Sequence, residues 1–292
     1  MLFNKYIIGK EIDEMDISKI ISDVQAQLGS VDFSSQAKPE GGKSGYDPSY
    51  AKYMDHTVLK CATTRETVKR FCDEAKQYHF ASVCINPTHV KFVHEQLKGS
   101  GVKTACVVGF PLGATTTLVK TVETAEAVKN GADEIDMVIN IGALKDKRYN
   151  VVFDDIKAVV DAAHPNAAVK VIIESSDLTD EEIVVSCELA KRAGAEWVKT
   201  SSGFGKGGAT VEAVRLMKST VGDACKVKAS TGVNDRKIAD ELIAAGAERF
   251  GTSKGILIVN GEAPKKPEGC TNCGVCTGNC AAGKVNVVSN EY

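Results

Sequence analysis

The stretch EWVKTSSGFGKGGAT, residues 196–210, decides how the chain folds. Trp197, Val198 and Lys199 read as the end of a buried strand, a Ser/Gly-rich loop follows, and residues 211–220 read as a helix. The stretch is therefore one strand–loop–helix unit with a lysine as the last strand residue. A lysine at the mouth of an apolar strand bundle is costly to keep charged. That cost lowers its pKa and frees an amine that can form a Schiff base with a carbonyl. A lone lysine there would be read as snorkelling to the rim. Here Lys228, in KVKAST (226–231), ends the next strand beside it, and a neighbouring ammonium depresses the pKa further.

Working outward, the same unit repeats. Apolar runs occur at 53–59, 81–86, 104–110, 134–140, 169–175, 196–202, 226–231 and 248–253. Amphipathic stretches between them, at 65–78, 119–130, 151–163, 180–192, 211–220 and 236–245, read as helices. Eight β-then-α units over about 200–250 residues predict an α/β protein, a (β/α)8 TIM barrel. A doubly wound open sheet is the alternative, but no Gly-rich dinucleotide fingerprint follows the first strand. Chemistry in such barrels collects at the C-terminal strand ends. Those ends offer Asp55, Thr57 and, just beyond, Lys60. They also offer Cys84 and Asn86, then Asp136 and Asn140, then Lys199 and Lys228. An aspartate inside EIDMVIN (134–140) is expensive to bury unpaired, and the lysines are its expected partners. A purely structural ion pair is the other reading. Three features predict an anion site on late loops: the glycines at 203, 205, 207 and 208 around Lys206, the Thr231-Gly232 step, and Gly251-Thr252-Ser253-Lys254.

Composition narrows the function classes. Net charge is −2, with 25% charged and 43% hydrophobic residues, as in a soluble globular protein with a sizeable core. The balance gives no nucleic-acid footprint, no run is long enough for a membrane span, and the N-terminus lacks a secretory h-region. Ten cysteines fall into two groups: six scattered singly and four packed together near the C-terminus. That pattern suggests a reducing cytoplasm and one metal-like site rather than a disulfide framework.

The expected organisation is a helix within residues 1–29, a linker over 30–46, the barrel over 47–260 and a cysteine-rich tail over 261–292. Ile17, Ile20, Ile21, Val24 and Leu28 form an apolar stripe at helical spacing, with Asp16 as N-cap and Gly29 as stop. A tethered striped helix either folds back on the barrel or finds a groove on a partner. In the tail, Cys270, Cys273, Cys276 and Cys280 have the spacing of a ferredoxin cluster run, with Ala281 where a proline usually follows. A [4Fe–4S] cluster, a four-thiolate zinc and no metal at all are the readings, in that order.

The motifs DHTVLK (55–60), VCINP (83–87), the segment from 107 to 140, VKTSSGFGKGGAT (198–210) and KVKAST (226–231) resemble the deoxyribose-phosphate aldolase family, over about residues 50–258. The resemblance implies a class I aldolase that needs no cofactor for catalysis. Such an enzyme reversibly cleaves 2-deoxy-D-ribose 5-phosphate to acetaldehyde and D-glyceraldehyde 3-phosphate. It further implies Lys199 as the imine-forming lysine, Lys228 as the neighbour lowering its pKa, and Asp136 in the proton relay. Asp55, Thr57 and Cys84 would line the pocket, and Gly203, Gly232, Gly251 and Ser253 would hold the phosphate. A homo-oligomer is implied as well. Two departures stand out: Thr231 and Asn234 replace a glycine and an arginine-like residue of the family pattern, and Lys254 replaces a serine. They leave open a Schiff-base lyase acting on a related phosphosugar, and a non-catalytic scaffold is the third reading. The N-terminal helix and linker resemble the encapsulation peptides of bacterial microcompartments. This implies a shell-protein partner for residues 15–28 and a place in the cytoplasm or inside such a compartment.

Overall fold

The computed structural model describes residues 46–262. The expected helix over 15–28, the linker up to residue 45 and the cysteine run 270–280 lie outside the described residues. A 3₁₀ turn over Pro48–Tyr53 leads into eight strands: β1 (Met54–Thr57), β2 (Ser82–Ile85), β3 (Lys103–Val108), β4 (Glu134–Val138), β5 (Ala168–Ile172), β6 (Trp197–Lys199), β7 (Lys226–Ser230) and β8 (Arg249–Thr252). All pair in parallel in sequence order, and β8 closes on β1 to complete the barrel. Parallel strands wrapped by helices are buried on both faces, which is why their sequences are near-continuous apolar runs interrupted by a few polar residues that face inward.

The helices are α1 (Arg65–Tyr78), α2 (Val90–Leu97), α3 (Thr117–Lys129), α4 (Ile141–Lys145), α5 (Tyr149–Ala163), α6 (Asp180–Ala193), α7 (Val211–Val221), α8 (Arg236–Ala244) and α9 (Gly255–Asn260). Their starts are written in short polar residues that accept orphan N–H groups. Thr64 caps α1, Thr210 caps α7 and Asp235 caps α8, while Thr179 and Glu182 form a reciprocal capping box on α6. Gly194, in the left-handed conformation, ends α6. Three helices were absent from the sequence expectation: α2, α4 and α9. Each spans eight residues or fewer, too few turns for a 3.6-residue period to stand out from a short strand.

The main core lies between barrel and helices, built from residues such as Ile135, Ile156, Val159, Val198, Met217 and Phe250. A second apolar cluster, Leu59, Cys84, Ala105 and Val107 with Phe110 against it, lies apart from it. Among the described residues, no helix is long and apolar enough to cross a membrane.

Candidate active site

Register builds the site. Lys199 is paired with Lys228 across β6 and β7, and Asp136 with Lys170 across β4 and β5. Side chains two apart on a strand share a face, so Glu134 points the same way as Asp136. The result is a buried charge cluster. Asp136 accepts from Lys199 Nζ (2.9 Å) and Lys228 Nζ (2.7 Å) on Oδ2, and from Lys170 Nζ (2.9 Å) on Oδ1. Lys228 also meets Asp55 at 2.5 Å, and Lys170 grips Glu134 and lies 3.4 Å from Asp55. Arg249 reaches Asp55 at 2.6 Å and Glu134 at 3.2 Å, and its guanidinium lies 4.7 Å from the Trp197 ring centroid.

Counting charges separates the lysines. Three carboxylates (Asp55, Glu134, Asp136) and four cations (Lys170, Lys199, Lys228, Arg249) are all buried here. Among these seven side chains one cation is in excess. Exposed Lys103 touches Glu134 from outside (3.3 Å), and buried Glu174 is near enough to Lys199 to act on it electrostatically. Burial makes an uncompensated charge expensive. The electrostatics single out Lys199. Burial and the Lys228 ammonium pull its pKa below the ordinary lysine value, against the opposing pull of Asp136. Burial also acts against Lys228, yet Asp136 and Asp55 carry its pKa above the ordinary value. Lys170 is raised likewise by Asp136, Asp55 and Glu134, despite burial. Burial would raise Asp136, but Lys170, Lys199 and Lys228 hold it below the usual carboxylate range. The arrangement makes the neutral amine less costly on Lys199 than on Lys228 or Lys170, beside the Asp136 carboxylate.

Of the other expected residues, Asp55 belongs to this cluster, while Thr57 and Cys84 are buried on the neighbouring strand ends. Asp55, expected on the pocket wall, is fully enclosed and engaged by Lys228, Lys170 and Arg249, so it sets the charge balance. The Thr57 hydroxyl donates to the Asp55 carbonyl (2.7 Å). Burial, with Asp136 adding to it, pushes the Cys84 thiol up to about 11, so the thiol stays protonated at neutral pH. Three strand-end residues do not join the cluster. Asn86 donates to the Leu59 carbonyl, Asn140 caps α4 by accepting from the Ala143 amide, and Lys60 is exposed.

At the rim, Gly203 (φ +94°) and Gly232 (φ +85°) adopt conformations that favour glycine, and neither amide has an internal acceptor among the described residues. Gly251 sits in β8 against Lys228 and Ser230, where a Cβ would collide with the serine hydroxyl. Ser253 follows it half-buried. Two of the loop glycines answer to packing instead of anion approach. A Cβ on Gly205 would come within 2.8 Å of the Glu174 carboxylate, and one on Gly208 would strike the Thr231 carbonyl. Lys206 is paired with Asp177 at 2.7 Å.

Lys170, Glu134, Arg249 and Glu174 were missed by the sequence reading. The first three carried a signal: each is a charged residue inside or at the start of a run otherwise fit for a buried strand, the same signal that exposed Lys199. Glu174 carried none, because its run ends in a loop.

A closed parallel barrel with a buried lysine of depressed pKa at the C-terminal end of β6 defines the class: a (β/α)8 enzyme equipped for lysine–imine chemistry. The model of the DeoC/LacD family of aldolases matches residues 49–261. A deoxyribose-phosphate aldolase of Clostridium tetani is 57% identical over 208 residues, which cover 71% of this chain and 96% of the relative. One from Staphylococcus haemolyticus is 57% identical over 213 residues, 73% of this chain and 96% of the relative. Among solved structures, the tetrameric deoxyribose phosphate aldolase of Aeropyrum pernix superposes with a TM-score of 0.68 at 28% identity, covering 84% of this chain and 97% of that one. The chain belongs to the DeoC/LacD aldolase family.

Proposed function

We propose that this protein reversibly cleaves 2-deoxy-D-ribose 5-phosphate to acetaldehyde and D-glyceraldehyde 3-phosphate through an imine on Lys199. The observation that carries the reading is the surplus cation. Of the four buried cations beside three carboxylates, Lys199 alone has its pKa pulled down. The family relatives named above support the substrate.

The amine of Lys199 attacks C1 of the open-chain aldehyde, and the carbinolamine loses water to give a protonated imine. Removal of the proton from the C3 hydroxyl breaks the C2–C3 bond. Glyceraldehyde 3-phosphate leaves as the aldehyde, and the electron pair passes into the iminium to make an enamine. Protonation at C2 followed by attack of water releases acetaldehyde and regenerates the amine. Lys228 and Asp136, both bonded into the same site, move these protons, Asp136 acting through a water. Gly203, Gly232, Gly251 and Ser253 hold the phosphate, with Thr57 and Cys84 close to the reacting end.

Around this core we place a homo-oligomer in the cytoplasm, supported by the tetrameric relative. The striped helix over 15–28 would engage a compartment shell protein, and a fluorescent protein carrying residues 1–45 would then concentrate in shells instead of spreading evenly. The thiolates of Cys270, Cys273, Cys276 and Cys280 suit an iron–sulfur cluster or zinc, and elemental analysis of the purified full chain decides between iron, zinc and neither.

The test is borohydride trapping with deoxyribose 5-phosphate, followed by peptide mass mapping. A reduced adduct on Lys199, absent in Lys199→Arg, is the expected result. Turnover of a different phosphosugar in preference to this one would move the substrate, and a folded protein with no adduct at Lys199 would overturn the mechanism.

A further inference from the structure

Ser230 ends β7, two residues beyond Lys228, and side chains two apart on a strand share a face. Its backbone is satisfied without help from its side chain. The amide donates to the Thr200 hydroxyl (3.0 Å), and the carbonyl accepts from the Ala209 amide (3.0 Å). The side-chain hydroxyl is in a different position. It is buried, and among the described residues it has no hydrogen-bond partner. A buried polar group left unpaired costs stability, so its presence calls for a reason.

The hydroxyl has a definite direction. Ser230 is paired with Gly251 across β7 and β8. A Cβ on Gly251 would collide with Ser230 Oγ and lie 3.2 Å from Lys228 Cε. The hydroxyl and the Lys228 stem therefore border the same space, which a glycine leaves free. From there Lys228 Nζ reaches Asp136 Oδ2 (2.7 Å), and the same oxygen accepts from Lys199 Nζ (2.9 Å). Two residues beyond Ser230 in the opposite direction is Gly232, at the rim. Ser230 thus stands between the amines and the rim glycines.

We propose that Ser230 is a specificity-determining residue whose hydroxyl binds the C4 hydroxyl of the substrate, and so selects acceptor aldehydes that carry a hydroxyl next to the carbonyl. This rests on the function proposed above. In that reading Lys199 takes C1, the Lys228 and Asp136 relay serves the C3 hydroxyl, and the rim glycines take the phosphate on C5. The C4 hydroxyl, between the two ends, is the polar group left without a partner. A serine hydroxyl both donates and accepts, as does the sugar hydroxyl it meets. In the condensation direction the same group is the hydroxyl of glyceraldehyde 3-phosphate.

The experiment compares wild type with Ser230→Ala in the condensation direction, with acetaldehyde as donor. The acceptors are D-glyceraldehyde 3-phosphate and 3-oxopropyl phosphate, which lacks only the hydroxyl in question. Removing the serine hydroxyl is expected to lower kcat/KM for glyceraldehyde 3-phosphate about tenfold, the upper end for one neutral hydrogen bond. With 3-oxopropyl phosphate the variant is expected to stay within about twofold of wild type, because the group it would contact is absent. Melting gives a second readout: deleting a hydroxyl that has no internal partner leaves Tm unchanged or slightly higher. Equal losses on both acceptors, no loss on either, or a Tm lowered by several degrees overturns the proposal. Borohydride trapping with deoxyribose 5-phosphate, run alongside, separates the two layers. A wild type that forms no imine refutes the proposed function, whereas trapping and turnover with an unmoved acceptor ratio refute the role of Ser230 alone.

Discussion

Lys228→Met tests the charge count directly. Lys199 and Lys228 lie 2.9 and 2.7 Å from one Asp136 oxygen, so their nitrogens are at most about 6 Å apart. Two unit charges at that separation repel by about 3 kcal/mol at an effective dielectric of about 20. Met fills the volume of Lys228 without its charge, leaving three buried cations against three carboxylates. Lys199 then belongs to the balanced set, and the repulsion that pulls its pKa down is removed. At 1.36 kcal/mol per decade, about 3 kcal/mol corresponds to a roughly 100-fold loss of neutral amine. The assay is the rate of borohydride-trapped imine with acetaldehyde as a function of pH, which reads imine formation separately from the later proton transfers that Lys228 also serves. The expected result is a roughly 100-fold slower rate at neutral pH that recovers as the pH is raised, with the acid limb displaced upward. An unchanged rate at neutral pH, or an acid limb displaced downward in a variant whose near-ultraviolet circular dichroism is native, would refute the reasoning.

Two further outcomes follow from the same geometry. A lysine whose folded pKa is depressed binds fewer protons folded than unfolded between the two pKa values, so stability climbs with pH from the depressed value toward the ordinary one. Lys199→Met removes that dependence and is expected to be more stable than wild type at neutral pH by about 1 kcal/mol, or about 2–4 °C in Tm; a variant less stable at pH 7 would contradict the surplus-cation account. Thr231 is β-branched yet has φ +67°, a conformation costing about 1–2 kcal/mol for a residue with a Cβ. Thr231→Gly is expected to raise Tm by about 2–4 °C, measured by calorimetry, and an unchanged or lower Tm would show that Thr231 is not strained.

The repeating units were legible because a strand buried on both faces must be apolar and an enclosing helix amphipathic, whatever the chain does elsewhere. Lys199, Lys228 and Asp136 were legible for the complementary reason: a charged residue in an apolar run is too costly to bury without a partner. The same rule applied to Lys170 in β5, but its strand is followed by a glutamate and two serines at 174–176, without the glycine loop that follows β6. Asn86 and Asn140 looked alike in the sequence to the site residues, and only their hydrogen bonds to a carbonyl and a helix start showed them to be backbone supports. The loop glycines divided in the same way, since closeness to Glu174 or Thr231 depends on segments about thirty residues apart in one case and over twenty in the other.

By itself, then, the sequence determined the barrel, the strands on which chemistry sits and two of the cluster's lysines, because those follow from local pattern and the cost of burying charge. How the buried charges divide, with Lys199 pulled below the ordinary lysine value and Lys228 and Lys170 raised above it, was decided by the tertiary structure. That outcome depends on the net charge of seven side chains from β1, β4, β5, β6, β7 and β8, and only barrel closure brings those strands within a few ångströms of one another.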